Sequence, residues 1–272
     1  MIDERLMEVA RRCAAGYEGV RVAFVSGSLV EGYGNPTSDL DLLLIGEQRP
    51  RPASRAVEEH AAAFTFHQCE ILIDHADGVR IDTELWRLAD AGQIADSLNA
   101  WDFDSRHRPP EHCSQFAHRV RIGRSLAGHE GFERLRARFD WVWLGALLAG
   151  RFLESYSDLA EDAAGAIQAS DAGTAVLTSR WALGAAVDAY LAASGHTNAK
   201  AKWRFAKLRQ LGDDDLLARY LAAEIGGASG DDQVLAQAKD RLRLAGALAQ
   251  RAQERLRPVL ARRRAPADRD GG

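Results

Sequence analysis

The chain has 272 residues, 46% of them hydrophobic and 27% charged, which is enough for one large domain or two small ones with a proper core. Its formal net charge of −4 argues against general binding to nucleic acids. The charged, amphipathic start is unlike a signal peptide, and the longest apolar stretch, 141–150, is about half of what a membrane span needs. The three cysteines are too far apart for a disulfide framework or a zinc knuckle, so we expect a cytoplasmic protein with reduced thiols and no membrane segment.

The first half of the chain alternates between predicted helices and strands. Apolar spacing predicts helices over 3–15 and 55–63. Residues 27–38 contain three glycines and a proline, which predicts a loop with at most one short helical turn. A tight turn is predicted at Asp77-Gly78. Alternating or continuously apolar runs predict strands over four segments, 20–25, 39–46, 69–76 and 79–86.

Downstream of the last predicted strand the pattern is helical, after a proline-rich break at 105–112. The predicted fold class is therefore an α/β (α+β) core with a mixed β-sheet over 1–105, followed by an all-α helical bundle over 106–257. The tail after Pro258, residues 258–272, is predicted to be disordered. Besides a helix that starts near residue 86, helices are predicted over 111–121, 130–156, 158–169, 174–194, 199–211, 213–225 and 231–256.

The segment that carries chemistry lies between the first two predicted strands. Gly27 has no side chain, so backbone N–H groups and the Ser28 hydroxyl can approach a phosphate closely. Asp39 and Asp41 are two residues apart at the start of a strand, where alternation places both carboxylates on one face. Neighbouring carboxylates repel each other unless a cation lies between them, and oxygen ligands suit Mg²⁺ or Mn²⁺. The strand over 79–86 can supply a third carboxylate on the same face, from Asp82 or Glu84.

Together these residues resemble the DNA polymerase β-type nucleotidyltransferase superfamily, in particular its small-molecule, antibiotic-type members with a C-terminal helical domain. The family signature is Gly-Ser, a spacer, Asp-hydrophobic-Asp-hydrophobic, and a later strand with an acid between hydrophobic residues. Here Gly27-Ser28 precedes Asp39-Leu40-Asp41-Leu42 by ten residues. The resemblance covers about residues 18–90. The chain departs from the signature at Ser26 and at Thr83, and the latter keeps Glu84 as a rival to Asp82.

The resemblance implies specific roles for these residues. Gly27 and Ser28 would hold the β- and γ-phosphates of ATP or another NTP, and Ser38 is also assigned to nucleotide binding. Asp39 and Asp41 would bind two Mg²⁺ ions, with Mn²⁺ as a substitute. Asp82 would bind the catalytic ion and help to activate the acceptor hydroxyl. The reaction would be in-line attack on the α-phosphate by a hydroxyl of a small molecule, with pyrophosphate leaving.

A second candidate region lies in the helical half. Only four of the 35 basic residues are lysines, and three of those cluster as Lys200, Lys202 and Lys207, with Arg204 and Trp203 between them. A cationic, aromatic helix start is suited to phosphates or a nucleobase. The alternative is an amphipathic helix with a solvated basic face and a buried tryptophan.

Several alternatives remain open at this stage. One is a protein- or RNA-modifying enzyme of the toxin–antitoxin type, and another is a non-catalytic nucleotide-binding regulator. One arginine of 118–124 can reach a nucleotide, and nothing selects among three acids for orienting the acceptor, namely Glu154, Asp158 and Asp188. The acceptor, the preferred base and the oligomeric state are not determined by the sequence.

Overall fold

The computed structural model describes residues 2–53, 62–105 and 107–264, which form two compact units. The first unit is Met1–Asp102 with Pro109–Asp140, and the second is Phe103–Arg108 with Trp141–Gly272. The predicted boundary at 105/106 therefore needs a correction. The proline-rich break contains a short piece of the second unit, after which the chain returns to the first unit and adds two helices and a sheet strand to it; the rest of the second unit starts at Trp141.

A six-stranded mixed sheet is the centre of the first unit. Its strand order is β5-β6-β7-β3-β2-β8, in which β3 and β7 are parallel and the other neighbours antiparallel, while β1 and β4 pair separately. The strands in chain order are β1 (Tyr17–Glu18), β2 (Val22–Ser26), β3 (Leu40–Gly46), β4 (Arg51–Pro52), β5 (Ala62–Phe66), β6 (Cys69–Ala76), β7 (Val79–Arg87) and β8 (Arg124–Ala127).

Helices cover both faces of this sheet. They are α1 (Glu4–Ala15), α2 (Ser28–Glu31), α3 (Leu88–Asn99), α4 (Glu111–Ile122) and α5 (His129–Ala137). Helix α1 packs its buried Val9 and Ala10 against a cluster of strand residues that includes Leu42. On the opposite face the ring of Phe116 in α4 lies 4.4 Å from that of Trp86, between centroids. Since β2 and β3 are covered on both sides, their residues are almost all buried, which accounts for the continuous apolar run of β3.

The second unit is all-helical, with helix α7 at its centre. Its helices are α6 (Trp141–Gln168), α7 (Ala172–Ala193), α8 (Arg204–Leu211), α9 (Asp214–Ile225) and α10 (Asp231–Arg264), with a 3₁₀ turn at Ala201–Trp203. Asp213 caps α9 by accepting a hydrogen bond from the Leu216 amide at 3.0 Å. An α/β core with a mixed sheet and an α-helical bundle are both present, so the predicted fold class is confirmed. Among the described residues, no helix combines the length and the apolar character needed to cross a membrane.

Some predicted elements were wrong in detail. The predicted helix over 55–63 lies mostly outside the described residues, and its last two positions begin strand β5, which pairs with β6 through a turn at His67 with φ of 53°. The single helix predicted over 130–156 is two helices, α5 and α6, and α6 continues through the segment predicted as the next helix.

The tail prediction also needs a correction, because α10 continues through Pro258 to Arg264. Proline removes one helical hydrogen bond and disfavours a continuing helix. Here the last turn is held by contacts within its own unit: Arg264 donates to both carboxylate oxygens of Asp104 at 2.9 and 2.7 Å. The guanidinium of Arg263 lies 4.8 Å from the ring centroid of Trp143. Residues 265–272 lie outside the described part of the chain.

Candidate active site

The register of strands β3 and β7 brings the predicted acids together. Asp41 and Asp82 are directly paired across these parallel strands, and paired residues project to the same face of a sheet. Asp39 stands two residues before Asp41, just before β3 begins, and is partly exposed. The side chains of Asp41 and Asp82 are 14% and 19% exposed, so both remain accessible at the edge of a buried core. The sheet thus carries acids at neighbouring positions on one face.

Gly27 forms the bend that brings the β2–α2 loop against Asp41. It has φ of 82° and immediately precedes α2. A Cβ atom at this position would lie 1.7 Å from Oδ2 of Asp41, a distance that no real contact permits. Only glycine therefore combines this backbone conformation with this approach to the carboxylate. The Gly27 carbonyl accepts hydrogen bonds from the Val30 and Glu31 amides at 3.1 Å, which fixes the short helical turn that the sequence predicted.

Arg119 of helix α4 connects two of the acids on this face. Its Nη2 donates to Oδ1 of Asp41 at 3.0 Å, and its Nη1 forms an ion pair with Glu84. The Glu84 side chain is only 6% exposed and also accepts a hydrogen bond from the Trp86 indole at 2.9 Å. The Ser26 hydroxyl donates to the Arg119 backbone carbonyl at 3.0 Å, which ties α4 to the end of β2. Helix α4 is therefore joined directly to the acidic face.

These contacts separate the two rivals for the third acid. Glu84 is buried and engaged by Arg119 and Trp86, so it serves as a support beneath Asp41. Asp82 is nearer solvent and is paired with Arg80, whose Nε and Nη2 donate to its two carboxylate oxygens at 2.8 Å each. Of the two acids, Asp82 is the one that a ligand can reach.

Ser38 has a local role that the sequence did not indicate. Its hydroxyl accepts a hydrogen bond from the Asn35 amide at 2.9 Å, and the Thr37 amide donates to Oδ1 of Asn35, also at 2.9 Å. These bonds close the turn that leads into Asp39. The assignment of Ser38 to nucleotide binding remains a prediction, since its observed contacts are within the loop.

A further pair of side chains lies beside Arg119 and was missed by the sequence interpretation. Nε2 of His118 is 3.3 Å from Oε2 of Glu31 at the end of α2, and both side chains are largely buried. This contact joins α4 to the Gly27 loop. The sequence signals were the position of Glu31 within the loop and that of His118 at the start of the segment 118–124. A pairing of residues so far apart in the chain is not visible without the fold.

The lysine cluster of the second unit separates into two kinds of residue. Lys200 and Lys202 are exposed, with Nζ of Lys202 4.9 Å from the Trp203 ring centroid. Lys207 is 1% exposed, and its ammonium donates to the Asn198 carbonyl at 2.8 Å. The prediction that Lys207 presents its charge to a nucleotide therefore needs a correction, because that charge is buried within the helical unit.

Arg204 and two of the three acids considered for the acceptor have ion-pair partners within the helical unit. Arg204 donates to Asp188 at 3.0 and 2.7 Å, and Lys207 lies 3.4 Å from the other oxygen of the same carboxylate. Asp188 is 3% exposed and so is a buried structural acid. Glu154 is exposed and paired with Arg108 at 2.6 Å, while Asp158 is exposed. The observed contacts of Arg204 are thus internal to its unit.

The acidic face has the donor chemistry for divalent ions, although its acids are paired with arginines. Carboxylate oxygens are the ligands that Mg²⁺ and Mn²⁺ prefer. Within the part of the chain that the structure describes, no three His, Cys, Asp or Glu side chains are already arranged around a common metal position. Arg80 on Asp82 and Arg119 on Asp41 supply the positive charge instead. Asp39, Asp41 and Asp82 therefore have the donor type that such ions prefer, and strand register places Asp41 beside Asp82.

Comparison with known proteins gives a distant similarity among solved structures. No protein-family model matches the sequence, and no curated protein matches it significantly. Among solved structures, a nucleotidyltransferase-like protein from Exiguobacterium sibiricum matches with a TM-score of 0.48 and 12% sequence identity, over 95% of this chain and 81% of that one. Similarity at this level does not identify an activity, which has to be argued from the residues of the acidic face.

Proposed function

We propose that this chain is a metal-dependent nucleotidyltransferase that moves a nucleoside monophosphate from an NTP to a hydroxyl of a small molecule and releases pyrophosphate. The observation that carries the proposal is the pairing of Asp41 with Asp82 across β3 and β7, with Asp39 alongside and Gly27 against the Asp41 carboxylate. A fold has no structural need for three acids on one sheet face beside a glycine-opened loop. Their mutual repulsion has to be offset by cations, which are Arg80 and Arg119 in this structure and would be divalent ions in the proposed reaction.

The residues of the chain have distinct tasks in this proposal. Asp39, Asp41 and Asp82 hold two Mg²⁺ ions, or Mn²⁺. When bound, these ions supply neutralisation of the triphosphate charge and acidification of the acceptor hydroxyl. The loop at Gly27 and Ser28 lets backbone amides approach the β- and γ-phosphates. Asp82 accepts the proton of the attacking hydroxyl, in keeping with its more exposed position.

The proposal also covers the nucleotide donor, the unit that binds the acceptor, and the lysines that would contact phosphate. We take ATP as the first donor to test, with the other NTPs beside it, since no residue of the acidic face discriminates between bases. The helical second unit is proposed to bind the acceptor. Lys200 and Lys202 are its exposed cations for phosphate, whereas Arg204 and Lys207 are engaged with Asp188.

The decisive experiment follows the label of the nucleotide. The protein is incubated with Mg²⁺ and NTPs labelled at the α- or the γ-phosphate, with hydroxyl-bearing small molecules and with the protein alone. Label from the α-position on a small product supports the proposal. Label on the protein itself supports the toxin–antitoxin type of activity, tight binding without turnover indicates a regulator, and transfer of γ-label indicates a kinase.

A matched pair of variants links the activity to the acidic face. Asp39→Asn should reduce transfer by more than about a hundred-fold while the free energy of unfolding changes little, because Asp39 precedes the strand and is partly exposed. Glu130→Gln removes a side chain that is 91% exposed on α5 of the same unit and serves as the control. Equal turnover in the two variants would contradict the assignment.

A further inference from the structure

Arg80 lies two residues before Asp82 on the same strand and binds the carboxylate of that acid. It grips that carboxylate through two parallel hydrogen bonds of 2.8 Å, from Nε and from Nη2. This is the bidentate geometry in which an arginine binds a carboxylate most specifically. The Arg80 side chain is 48% exposed, so it is accessible to solvent while it holds Asp82. Asp82 is thus occupied by a cation that has room to leave.

The influence of the acidic face on Arg80 extends beyond Asp82. The pKa of Arg80 is raised above its usual value, first by its hydrogen bonds with Asp82 and then by the charge of that carboxylate, with smaller contributions from Asp39 and Asp41. The three acids proposed to hold the metal ions therefore act on one guanidinium. Since arginine stays protonated at every relevant pH, this positive charge is permanent.

We propose that Arg80 is the resident counter-cation of the acidic face: it neutralises Asp82 in the metal-free protein and has to leave that carboxylate when a divalent ion binds. This inference rests on the proposed function, because it concerns the ions that the three acids would hold. Both oxygens of Asp82 are used by Arg80, and a metal ion needs at least one of them. Arg80 is thus a positioning residue that sets the affinity of the site for metal.

The two arginines on this face differ in how easily they can move. Arg119 is 23% exposed and also bound to the buried Glu84, so its withdrawal would leave an uncompensated buried charge. Arg80 is half-exposed, so its release from Asp82 leaves the guanidinium in water and costs less than the release of Arg119. Displacement by a metal ion is therefore expected at Asp82 first, with Arg119 retained beneath Asp41.

The test measures Mn²⁺ binding directly, without nucleotide or acceptor. Free Mn²⁺ is titrated by electron paramagnetic resonance against the full-length wild type, Arg80→Gln, Arg80→Lys and Asp41→Asn. Arg134→Gln removes an equally charged arginine from α5, where it pairs with the exposed Glu130, and so controls for net charge. Arg80→Gln should bind Mn²⁺ about ten-fold more tightly than wild type, and Arg134→Gln less than about two-fold.

A second measurement keeps the test valid if one variant folds poorly. Without metal, Arg80→Gln should melt at a lower temperature than wild type, because three acids lose their common counter-cation, and Mg²⁺ should raise its Tm by more. Arg80→Lys keeps the charge but loses the bidentate grip, so its Mn²⁺ affinity should fall between the other two.

The outcomes separate this inference from the proposed function. Binding that is abolished in Asp41→Asn and tightened in Arg80→Gln supports both. Binding that depends on Asp41 but is equally strong in wild type and Arg80→Gln overturns the role of Arg80 and leaves the metal site standing. Absence of Asp41-dependent binding in every variant overturns the metal site itself.

Discussion

Gly27 and Asp41 lie so close together that the glycine cannot be replaced without moving the acid. An added Cβ would stand 1.7 Å from Oδ2 of Asp41. This acid is one of two paired across the sheet. The position of the loop and the orientation of the Asp41 carboxylate therefore depend on each other. The loop and the acid therefore have to be tested together.

Gly27→Ala should destabilise the first unit and disturb Asp41. The residue would combine a disfavoured positive φ with a steric clash, and we expect a loss of about 2–4 kcal/mol in the free energy of unfolding, measured by urea titration. Gly32→Ala is the matched control, because Gly32 has the same φ of 82° but open space where a Cβ would be added. Its cost should be only about 1 kcal/mol. Equal losses in the two variants would contradict the proposed clash.

The ion pair between Arg119 and Glu84 should be strongly coupled. Arg119→Met leaves the buried Glu84 carboxylate without its cation and should cost about 3 kcal/mol of stability. Glu84→Gln in that background should recover part of the loss, because a neutral amide can still accept the Trp86 hydrogen bond. A double-mutant cycle from urea unfolding gives the coupling energy. A value near zero would show that the two side chains do not interact in solution.

The lysine cluster should divide into stability and binding effects. Lys207→Met should lower the free energy of unfolding by about 2–4 kcal/mol, since it removes a buried charge from the Asp188 pair. Lys200→Ala and Lys202→Ala should change stability by less than about 0.5 kcal/mol, because both are exposed. If these two lysines contact phosphate, each of the two substitutions should raise KM for the NTP. Thermal unfolding and steady-state kinetics on the three variants distinguish the two effects.

Burial of Cys69 should make stability fall at high pH. The buried environment raises the pKa of this thiol from its usual 9.0 to about 11. The unfolded chain therefore ionises first as the pH rises, and stability is lost progressively between these two values, by up to about 1.4 kcal/mol per pH unit. Urea unfolding of wild type and Cys69→Ala from pH 8 to 11 tests this. The variant should show a shallower decline, and parallel curves would contradict the expectation.

Local sequence signals were sufficient for the elements that position the acids. Apolar runs and alternation predicted β3 and β7, and the glycine-rich stretch predicted the loop with its short turn. Strand alternation also predicted a shared face for Asp39 and Asp41, although β3 begins only at Leu40. The pairing of Asp41 with Asp82 needs the sheet order, which local pattern does not contain.

The missed features all depend on contacts between distant segments. Helix α10 continues past Pro258, and its last turn contacts Asp104, which is far away in the chain. The burial of Lys207 depends on Asp188 in another helix, whereas a charge cluster read along the sequence suggests a solvent-facing surface. Arg80 was read only as part of a strand, although its spacing from Asp82 places both on one face. That last relation could have been found from alternation.

The parallel register of β3 and β7 also has a consequence for how the protein matures. These strands are separated by a long stretch of chain, so closing the gap between them is an entropically costly, late event during folding. Before the sheet closes, Asp82 is apart from Asp39 and Asp41, so an incompletely folded chain lacks the complete acidic face. Under the proposed function, all three acids could hold a divalent ion only in a molecule whose sheet has closed, and metal uptake would then report on completed folding.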